Sequence, residues 1–359
     1  MAGIPLARAS PSFPSLPTHH VPTSNSPESL PIIFIGASLG GVYAMLDLVA
    51  TLPADFPAPI LFVQHIGAHR SELAALLDRR GPNPAVEARD GDVPAAGTIY
   101  IAPSDRHMLI ERGVIRLTRG PKEHHARPAV DPLFRAAAID CGARAIGVVL
   151  TGGLDDGSAG LRAIKDCGGV AVVQDPDDAY EPSMPRAALA VVDADHVVPL
   201  AGLAPLLVQL AKTHRGPFGT AKTSTSLQLE HAAASGRNNM ESLTSIAATS
   251  AFSCPDCGGV LFELNDKHPV RYRCHTGHAF SLRSLAATQE EVTDSALWSG
   301  LRVLQEKEAI LRRLVEVQQA DDPDAAEDLL READELAEVA SALRTLTLKA
   351  PGAANVDAS

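Results

Sequence analysis

Residues 32–52 read IIFIGASLGGVYAMLDLVATL, which is an apolar run, a glycine-rich turn and a helical pattern in succession. Such a unit is typical of a parallel sheet that helices cover on both faces, because its strands are apolar throughout. The apolar runs recur as ILFVQ (60–64), TIYIA (98–102), AIGVVLT (145–151) and VAVVQ (170–174). The sequence therefore predicts an α/β domain over 32–211, built on a doubly wound, mostly parallel sheet.

The remaining patterns divide the chain further. RHMLIERGVIRLTRG (106–120) alternates around an Arg-Gly pair and predicts a β-hairpin inserted into the domain. A segment rich in Ser, Thr and Ala predicts a linker over 212–250. Helical composition interrupted by ADDPDA predicts a helical hairpin over 281–349. The Pro- and Ser-rich residues 1–31 predict a disordered leader, and 350–359 a disordered tail.

Composition and charge argue against several classes of partner. The net charge is -12 and the chain has no long Lys/Arg cluster, so we expect no nucleic-acid partner. No apolar run approaches the roughly 18 residues that a membrane span needs, so we expect no membrane insertion. The chain lacks a secretory signal pattern, and its five cysteines do not follow the spacing of a disulfide framework. These features predict a reducing, cytoplasmic location.

Three polar residues follow three of the predicted strands. Ser38 follows the first strand, His65 the second, and Asp156 the strand AIGVVLT. Ligands and catalytic groups gather at this edge of a doubly wound sheet, and a serine nucleophile needs a histidine base oriented by a carboxylate. Each residue also has a structural interpretation: a turn or N-cap residue for Ser38, a partly buried histidine for His65, and a helix cap for Asp156. A phosphate-binding loop is a further functional alternative for Ser38.

Two other site classes fit these strand ends less well. A dinucleotide-binding domain expects an acidic residue at the end of the second strand, where this chain has Gln64-His65. An ordinary α/β-hydrolase would match GASLG, but its triad runs Ser, acid, His along the chain. Here the histidine precedes the aspartate.

Residues 32–211 resemble the catalytic domain of the chemotaxis receptor methylesterases, the CheB family. The shared motifs, in chain order, are IGASLGG, ILFVQHI, GTIYIAPSDRHM, RPAVDPLF, VVLTGGLDDGSAGL and SMPRAAL. The resemblance implies hydrolysis of glutamate methyl esters on the cytoplasmic helices of methylated chemoreceptors, together with deamidation of certain receptor glutamines. It also implies that no catalytic cofactor is needed.

The resemblance assigns roles to individual residues. It makes Ser38 the nucleophile, His65 the general base, and Asp156, rather than its neighbour Asp155, the orienting carboxylate. The oxyanion donors it implies are the backbone amides of His65 and Gly153. The residues expected to border the substrate site are Leu39, Gly40, Arg127 and Met184.

The chain departs from the family pattern in three places. Position 39 is Leu where a small polar residue is frequent, and position 153 is Gly where Met is common. Family members usually carry an N-terminal receiver domain, and the 31 residues before the first strand are too few to form one. We therefore do not expect control by phosphorylation in cis.

A Cys/His module follows over 251–280. Cys254 and Cys257 form a C-x2-C knuckle, and a second turn supplies Cys274 and His278, with His275 as the alternative fourth ligand. Four such ligands predict a closed, structural zinc site in a zinc-ribbon-like fold, since a module of this size needs a metal to fold.

The sequence leaves the role of the C-terminal part open. Similar modules followed by a helical pair occur in family members that lack a receiver, which supports the assignment of the module without explaining it. The helices after it, which hold the single tryptophan Trp298, are interpreted either as an oligomerisation or docking element or as a pair that only packs on itself. A signalling partner is expected on the module or on the hairpin. Two other functions compete with the esterase: a non-catalytic signalling scaffold, and a hydrolase of another small ester or amide. The intact Ser38, His65 and Asp156 favour catalysis over the scaffold.

Overall fold

A computed structural model describes residues 30–67, 69–216, 223–237, 240–318 and 322–349. The predicted tail, and the predicted leader apart from residues 30 and 31, lie outside these ranges. The strands are β1 Ile32–Ala37, β2 Ile60–Gln64, β3 Ala85–Glu87, β4 Ile99–Ile101, β5 His107–Glu111, β6 Val114–Thr118, β7 Ala145–Val149, β8 Val170–Gln174, β9 His196–Val198, β10 Ala247–Ser253, β11 Val260–Lys267, β12 Val270–Cys274 and β13 Ala279–Ser281. The helices are α1 Gly41–Thr51, α2 Leu73–Arg80, α3 Val130–Cys141, α4 Ser158–Asp166, α5 Ser183–Val191, α6 Leu200–Thr213, α7 Thr225–Ala234, α8 Met240–Ile246, α9 Leu282–Gln318 and α10 Pro323–Lys349.

The central sheet has seven parallel strands in the order β3-β4-β2-β1-β7-β8-β9. Side chains alternate between its faces: Ile33 and Ile35 join one apolar core, while Phe34 joins the other. Residues of α1, α2 and α6 complete the first core, and residues of α3, α4 and α5 complete the second. The prediction of a doubly wound α/β fold is confirmed, and the three-residue edge strands β3 and β9 are additional to it.

The predicted inserted hairpin is formed by β5 and β6, which pair antiparallel. Its two-residue turn places Arg112 at φ 55° and Gly113 at φ 73°, the left-handed backbone that a type I′ hairpin turn requires. The carboxylate of Asp140 accepts hydrogen bonds from both turn amides. Because Asp140 belongs to α3, this contact fixes the hairpin to that helix.

The segment predicted to be a linker, 212–250, contains two helices and the start of a strand. Helix α7 is capped by Ser224, whose hydroxyl accepts the Leu227 amide at 3.1 Å. Its Glu230 is buried against Arg271 of β12. Tertiary contacts that the local sequence pattern does not show therefore stabilise this segment, which departs from the linker prediction.

The C-terminal part begins with the antiparallel sheet β10-β11-β12-β13. Helices α9 and α10 then form the predicted helical hairpin. On α10, Ala326, Ala333 and Ala340 are buried at intervals of seven residues, as expected for a helix that packs along its whole length on a partner helix. Among the described residues, no helix is both long enough and apolar enough to cross a bilayer.

Candidate active site

Ser38 lies immediately after β1, in a turn fixed by its own backbone. The Ser38 amide donates to the Thr151 carbonyl at 3.0 Å, and the Ser38 carbonyl accepts from the Gly41 amide at 2.9 Å and from Gln64 Nε2 at 2.7 Å. Gly40 has φ 82°, and a Cβ at that position would lie 2.9 Å from the Cβ of Tyr180. The glycine therefore allows the sharp turn that presents Ser38 at the sheet edge.

The three predicted strand-end residues meet in one hydrogen-bonded chain. His65 Nδ1 lies 3.1 Å from Ser38 Oγ, and His65 Nε2 lies 2.7 Å from Asp156 Oδ2. A neutral ring that donates its Nε2–H to the carboxylate keeps the Nδ1 lone pair for the serine hydroxyl. In the serine proteases Nε2 faces the serine and Nδ1 faces the aspartate, and in this chain the two nitrogens have the opposite roles. Either nitrogen of the imidazole can accept the serine proton while the other donates to the carboxylate, so the same proton transfer can occur.

Asp156 is held by the N-terminus of α3. Its carboxylate accepts the Val130 amide at 2.6 Å and the Asp131 amide at 2.9 Å, and its side chain is 2% exposed. Burial opposes ionisation of Asp156, but the nearby His124 and the hydrogen bonds from His65 and Val130 outweigh it, so the pKa of Asp156 lies well below its usual value. Asp156 therefore faces His65 as a carboxylate.

The two amides expected to stabilise an oxyanion differ in their surroundings. In the described part of the chain the Gly153 amide has no hydrogen-bond partner, and a Cβ built on Gly153 would meet no atom within 4 Å. The His65 amide instead donates to the Ala37 carbonyl at 3.2 Å, which extends the ladder between β1 and β2. The expectation for Gly153 is compatible with this geometry, whereas the His65 amide is already engaged.

Two of the residues expected to border the substrate site are occupied elsewhere. The guanidinium of Arg127 binds the Asp105 carboxylate, with Nε at 2.9 Å, and the Gly120 carbonyl at 2.7 Å. Met184 is fully buried, and a Cβ on Gly152 would lie 2.1 Å from its sulfur. Met184 thus packs beneath the loop that follows β7 and does not face solvent, which corrects the expectation that it borders the site.

Exposed apolar side chains surround the serine turn. Leu39 is 57% exposed, Tyr180 next to Gly40 is 77% exposed, and Tyr43 in the first turn of α1 is 76% exposed. Leu154, directly after Gly153, is also exposed, and its φ of 62° is unusual for a residue other than glycine. Together they form an open apolar rim suited to the surface of a protein substrate.

One residue behind the triad has no counterpart among the predicted site residues. His124 Nε2 lies 3.1 Å from Asp131 Oδ2 and 3.5 Å from Asp156 Oδ1. His124 belongs to a loop without a periodic pattern, and only the position of the pair His124-His125 shortly before RPAVD could have drawn attention to it.

The Cys/His module brings four potential metal ligands together. Cys254 Sγ lies 3.7 Å from His278 Nδ1, Cys274 Sγ lies 3.6 Å from the same nitrogen, and Cys257 Sγ lies 3.7 Å from Cys274 Sγ. Donors about 2.0–2.3 Å from a tetrahedral zinc ion lie roughly 3.5–3.8 Å apart, so the spacing fits that ion. None of the five cysteines forms a disulfide.

The two knuckles have similar turns, and the geometry of the second turn distinguishes His278 from His275 as the fourth ligand. Glycines with left-handed backbone follow both turns, Gly258 at φ 72° and Gly277 at φ 106°. The second turn directs His278 towards the three thiols, and all four ligand atoms lie within 4.8 Å of one another. His275 is exposed, and its ring lies against Gly259. The geometry thus favours His278 as the fourth ligand.

Known proteins resemble the first half of this chain. A family model described as CheB methylesterase matches residues 33–207. A protein-glutamate methylesterase/protein-glutamine glutaminase of Anaeromyxobacter dehalogenans is 44% identical over 170 residues, which is 47% of this chain and 50% of the relative. A Leptospira interrogans protein named for the same two activities is 39% identical over 180 residues, 50% of this chain and 93% of the relative. The crystal structure of the Thermotoga maritima CheB methylesterase catalytic domain has 33% identity and a TM-score of 0.49, and the match covers 51% of this chain and 99% of that one.

Proposed function

The chain belongs to the CheB methylesterase family, and on that premise we propose that it is a serine esterase that hydrolyses glutamate methyl esters on the cytoplasmic helices of chemoreceptors. The observation that carries the proposal is the hydrogen-bonded chain from Ser38 through His65 to Asp156. A non-catalytic scaffold would have no need for this arrangement, in which each group has the partner that its chemistry requires.

The reaction follows from that geometry. Ser38 Oγ attacks the ester carbonyl as His65 Nδ1 takes its proton, and the tetrahedral oxyanion accepts a hydrogen bond from the Gly153 amide. His65 then gives the proton to the departing methoxide, so that methanol leaves and an acyl-enzyme remains. Water deprotonated by His65 hydrolyses the acyl-enzyme and releases the glutamate carboxylate.

The same groups can act on a glutamine side chain. Its amide carbonyl is attacked in the same way, and ammonia leaves in place of methanol. The names of the relatives include protein-glutamine glutaminase, which supports this second activity. The open apolar rim around Ser38 supports a side chain presented on a protein surface over a small free ester, which would bind better in an enclosed pocket.

We assign the catalytic domain to residues 32–211 and a structural zinc site to Cys254, Cys257, Cys274 and His278. The metal, when bound, supplies cross-linking of the two knuckles, and four protein ligands leave no open position on it. A signalling partner on the module or the helical hairpin stays a prediction from the sequence. The unpaired cysteines support a reducing compartment, so we propose a cytoplasmic location.

Methanol release from methylated receptor membranes tests the esterase. We expect Ser38→Ala to lower the turnover number kcat by more than about 10⁴-fold, because the nucleophile is lost while the fold is retained. Ser245→Ala, which removes an exposed hydroxyl on α8, serves as the matched control and should leave the rate unchanged. Release that survives Ser38→Ala would exclude this nucleophile, and a wild-type protein without any release would favour the scaffold.

A further inference from the structure

The loop of residues 122–126, between β6 and α3, is bound to the Cys/His module. The Ala279 amide of β13 donates to the Lys122 carbonyl at 3.2 Å, and the His124 amide donates to the Ala279 carbonyl at 2.8 Å. His125 Nδ1 lies 2.7 Å from Asp256, which stands between the two cysteines of the first knuckle. The module therefore holds this loop along its length, as if the loop were a further strand of its sheet.

Buried charges strengthen the same junction. The Glu123 carboxylate accepts hydrogen bonds from Arg135 of α3, at 2.6 Å, and from Arg273 of β12, at 3.1 Å. All three side chains are at most 4% exposed. Removing one charge of such a group would leave the others buried without compensation, so the loop cannot easily detach from either side.

The His124 side chain connects the start of α9 to the triad. Its Nδ1 lies 3.0 Å from Ser284 Oγ in the first turn of α9, and its Nε2 faces Asp131 and Asp156. Ser281, the last residue of β13 and the one directly before α9, donates its hydroxyl to Asp155 at 2.6 Å. The start of α9 and the residue before it therefore contact His124 and Asp155, which lie next to the triad carboxylate of Asp156.

The charge on His124 suits this position. Burial opposes protonation of the ring, but the carboxylates of Asp156, Asp131 and Asp155 outweigh it and raise the pKa of His124 to about 10. The adjacent Glu123 is already neutralised by its two arginines. His124, Asp131 and Asp156 are close enough to hold a metal ion, but here the ring itself supplies the positive charge and donates to Asp131.

We propose that His124 is a positioning residue of the catalytic triad, and that the Cys/His module, through β13, and helix α9, through Ser284, hold His124 in place. The imidazolium balances three carboxylates that would otherwise repel one another, and so keeps Asp156 aligned with His65. The Cys/His module and the start of α9 then contribute to the catalytic activity of the esterase. The effect on turnover rests on the proposed function, whereas the coupling of His124 to the His65–Asp156 hydrogen bond does not.

The kinetic experiment compares His124→Gln with a control in the same interface. Arg162→Gln is the matched control, because Arg162 contacts Asp266 of the module without approaching the triad. In His124→Gln we expect kcat for methanol release to fall about 10- to 100-fold with KM within twofold, since misplacement of a catalytic group affects the chemical step. In Arg162→Gln both constants should stay at the wild-type value.

The pH profile distinguishes positioning from a structural role. The positive charge of His124 opposes a further proton on the His65–Asp156 pair, so His124→Gln should move the acid limb of the kcat/KM profile to higher pH by about one unit. Ser284→Ala, which removes the bond to α9 but keeps the charge on His124, should lower kcat and leave the acid limb in place. A lower melting temperature with an unchanged limb and unchanged kcat would overturn the proposal.

Proton NMR gives a readout that does not depend on turnover. The proton shared by His65 Nε2 and Asp156 should give a downfield resonance in the wild type, and this resonance should shift in His124→Gln and not in Arg162→Gln. A resonance that His124→Gln leaves unmoved would overturn the coupling. A shifted resonance in a protein that releases no methanol would support the coupling and reject the proposed esterase function.

Discussion

Ser38 depends on a neighbour that carries no functional group. Gly152 packs between the serine and the buried Met184: a Cβ on it would lie 2.8 Å from the Ser38 Cβ and 2.1 Å from the Met184 sulfur. Neither contact can be relieved without moving Ser38 or the side chain beneath it. The glycine is therefore needed for the position of the nucleophile.

Gly152→Ala should consequently damage both stability and catalysis. We expect a loss of about 1–3 kcal/mol in the free energy of unfolding, as for other overpacked sites. We also expect kcat to fall by about 100-fold, because the nucleophile is displaced. Gly153→Ala is the matched control for stability, since its Cβ meets no atom within 4 Å, and denaturant unfolding of the two variants compares them. Equal stability of the two would contradict the packing argument.

Both candidates for the fourth metal ligand, His275 and His278, lie in the turn between β12 and β13, and a pair of variants distinguishes them. His278→Ala should lower zinc affinity by more than about 100-fold, because three thiolates leave the tetrahedral ion incomplete. His275→Ala should keep the affinity, since His278 supplies the nitrogen that meets the three thiols. Competition with a chromogenic chelator measures both. Loss of zinc in His275→Ala alone would reverse the assignment.

The stability of the junction should depend on pH in both directions. Burial raises the pKa of Glu123, but Arg135 and Arg273 outweigh it and hold that pKa at about 2, against 4.5 for an ordinary glutamate. A lowered carboxyl pKa stabilises the fold above pH 4.5, and that stabilisation is lost as the pH falls towards 2. The raised pKa of His124 acts oppositely: its contribution is complete below pH 6.5 and is lost as the pH rises towards 10.

We therefore expect the urea midpoint to be highest between about pH 4.5 and 6.5. The variant His124→Gln should lose the alkaline decline and keep the acid one. Exposed ion pairs such as Lys267 with Glu263 contribute little to either limb, so Glu263→Gln serves as the control. An alkaline decline of wild-type size in His124→Gln would show that another group causes it.

The sequence predicts the elements whose own apolar residues form a recognisable run or alternation. The long buried strands β1, β2, β7 and β8 carry apolar runs, and the β5–β6 hairpin carries its alternation and its Arg-Gly turn. The three-residue strands β3 and β9 are too short to show a period. Helix α7 owes its buried Glu230 to an arginine 41 residues away, which no local pattern can reveal.

The candidate site divides in the same way. Ser38, His65 and Asp156 could be predicted because the ends of parallel strands converge, and the sequence shows where each strand ends. His124 could not, because its partner Ser284 is 160 residues away and belongs to another part of the chain. The motif SMPRAAL predicts Met184 at the border of the substrate site, but its side chain is buried. A motif gives the position of a residue in the chain and not the direction of its side chain.

Across the whole molecule, one loop connects the proposed metal site to the proposed triad. The knuckle residue Asp256 binds His125, and Arg273, beside the ligand Cys274, binds Glu123. Between these two contacts lies His124, which faces Asp156. Loss of the metal should loosen both knuckles, and with them the loop that holds His124.

Metal removal should therefore lower catalysis from a distance, and in a way that depends on His124. We expect chelation to lower kcat, and the rate at which a fluorophosphonate labels Ser38, by about tenfold in the wild type. The same treatment should change little in His124→Gln, because both changes remove the same support and their effects are then not additive. Zinc content measured in parallel confirms that both proteins lose the metal. Equal losses of labelling rate in the two proteins would mean that the module supports the triad by a route other than His124. No loss in the wild type would mean that the knuckles keep the loop in place without their metal.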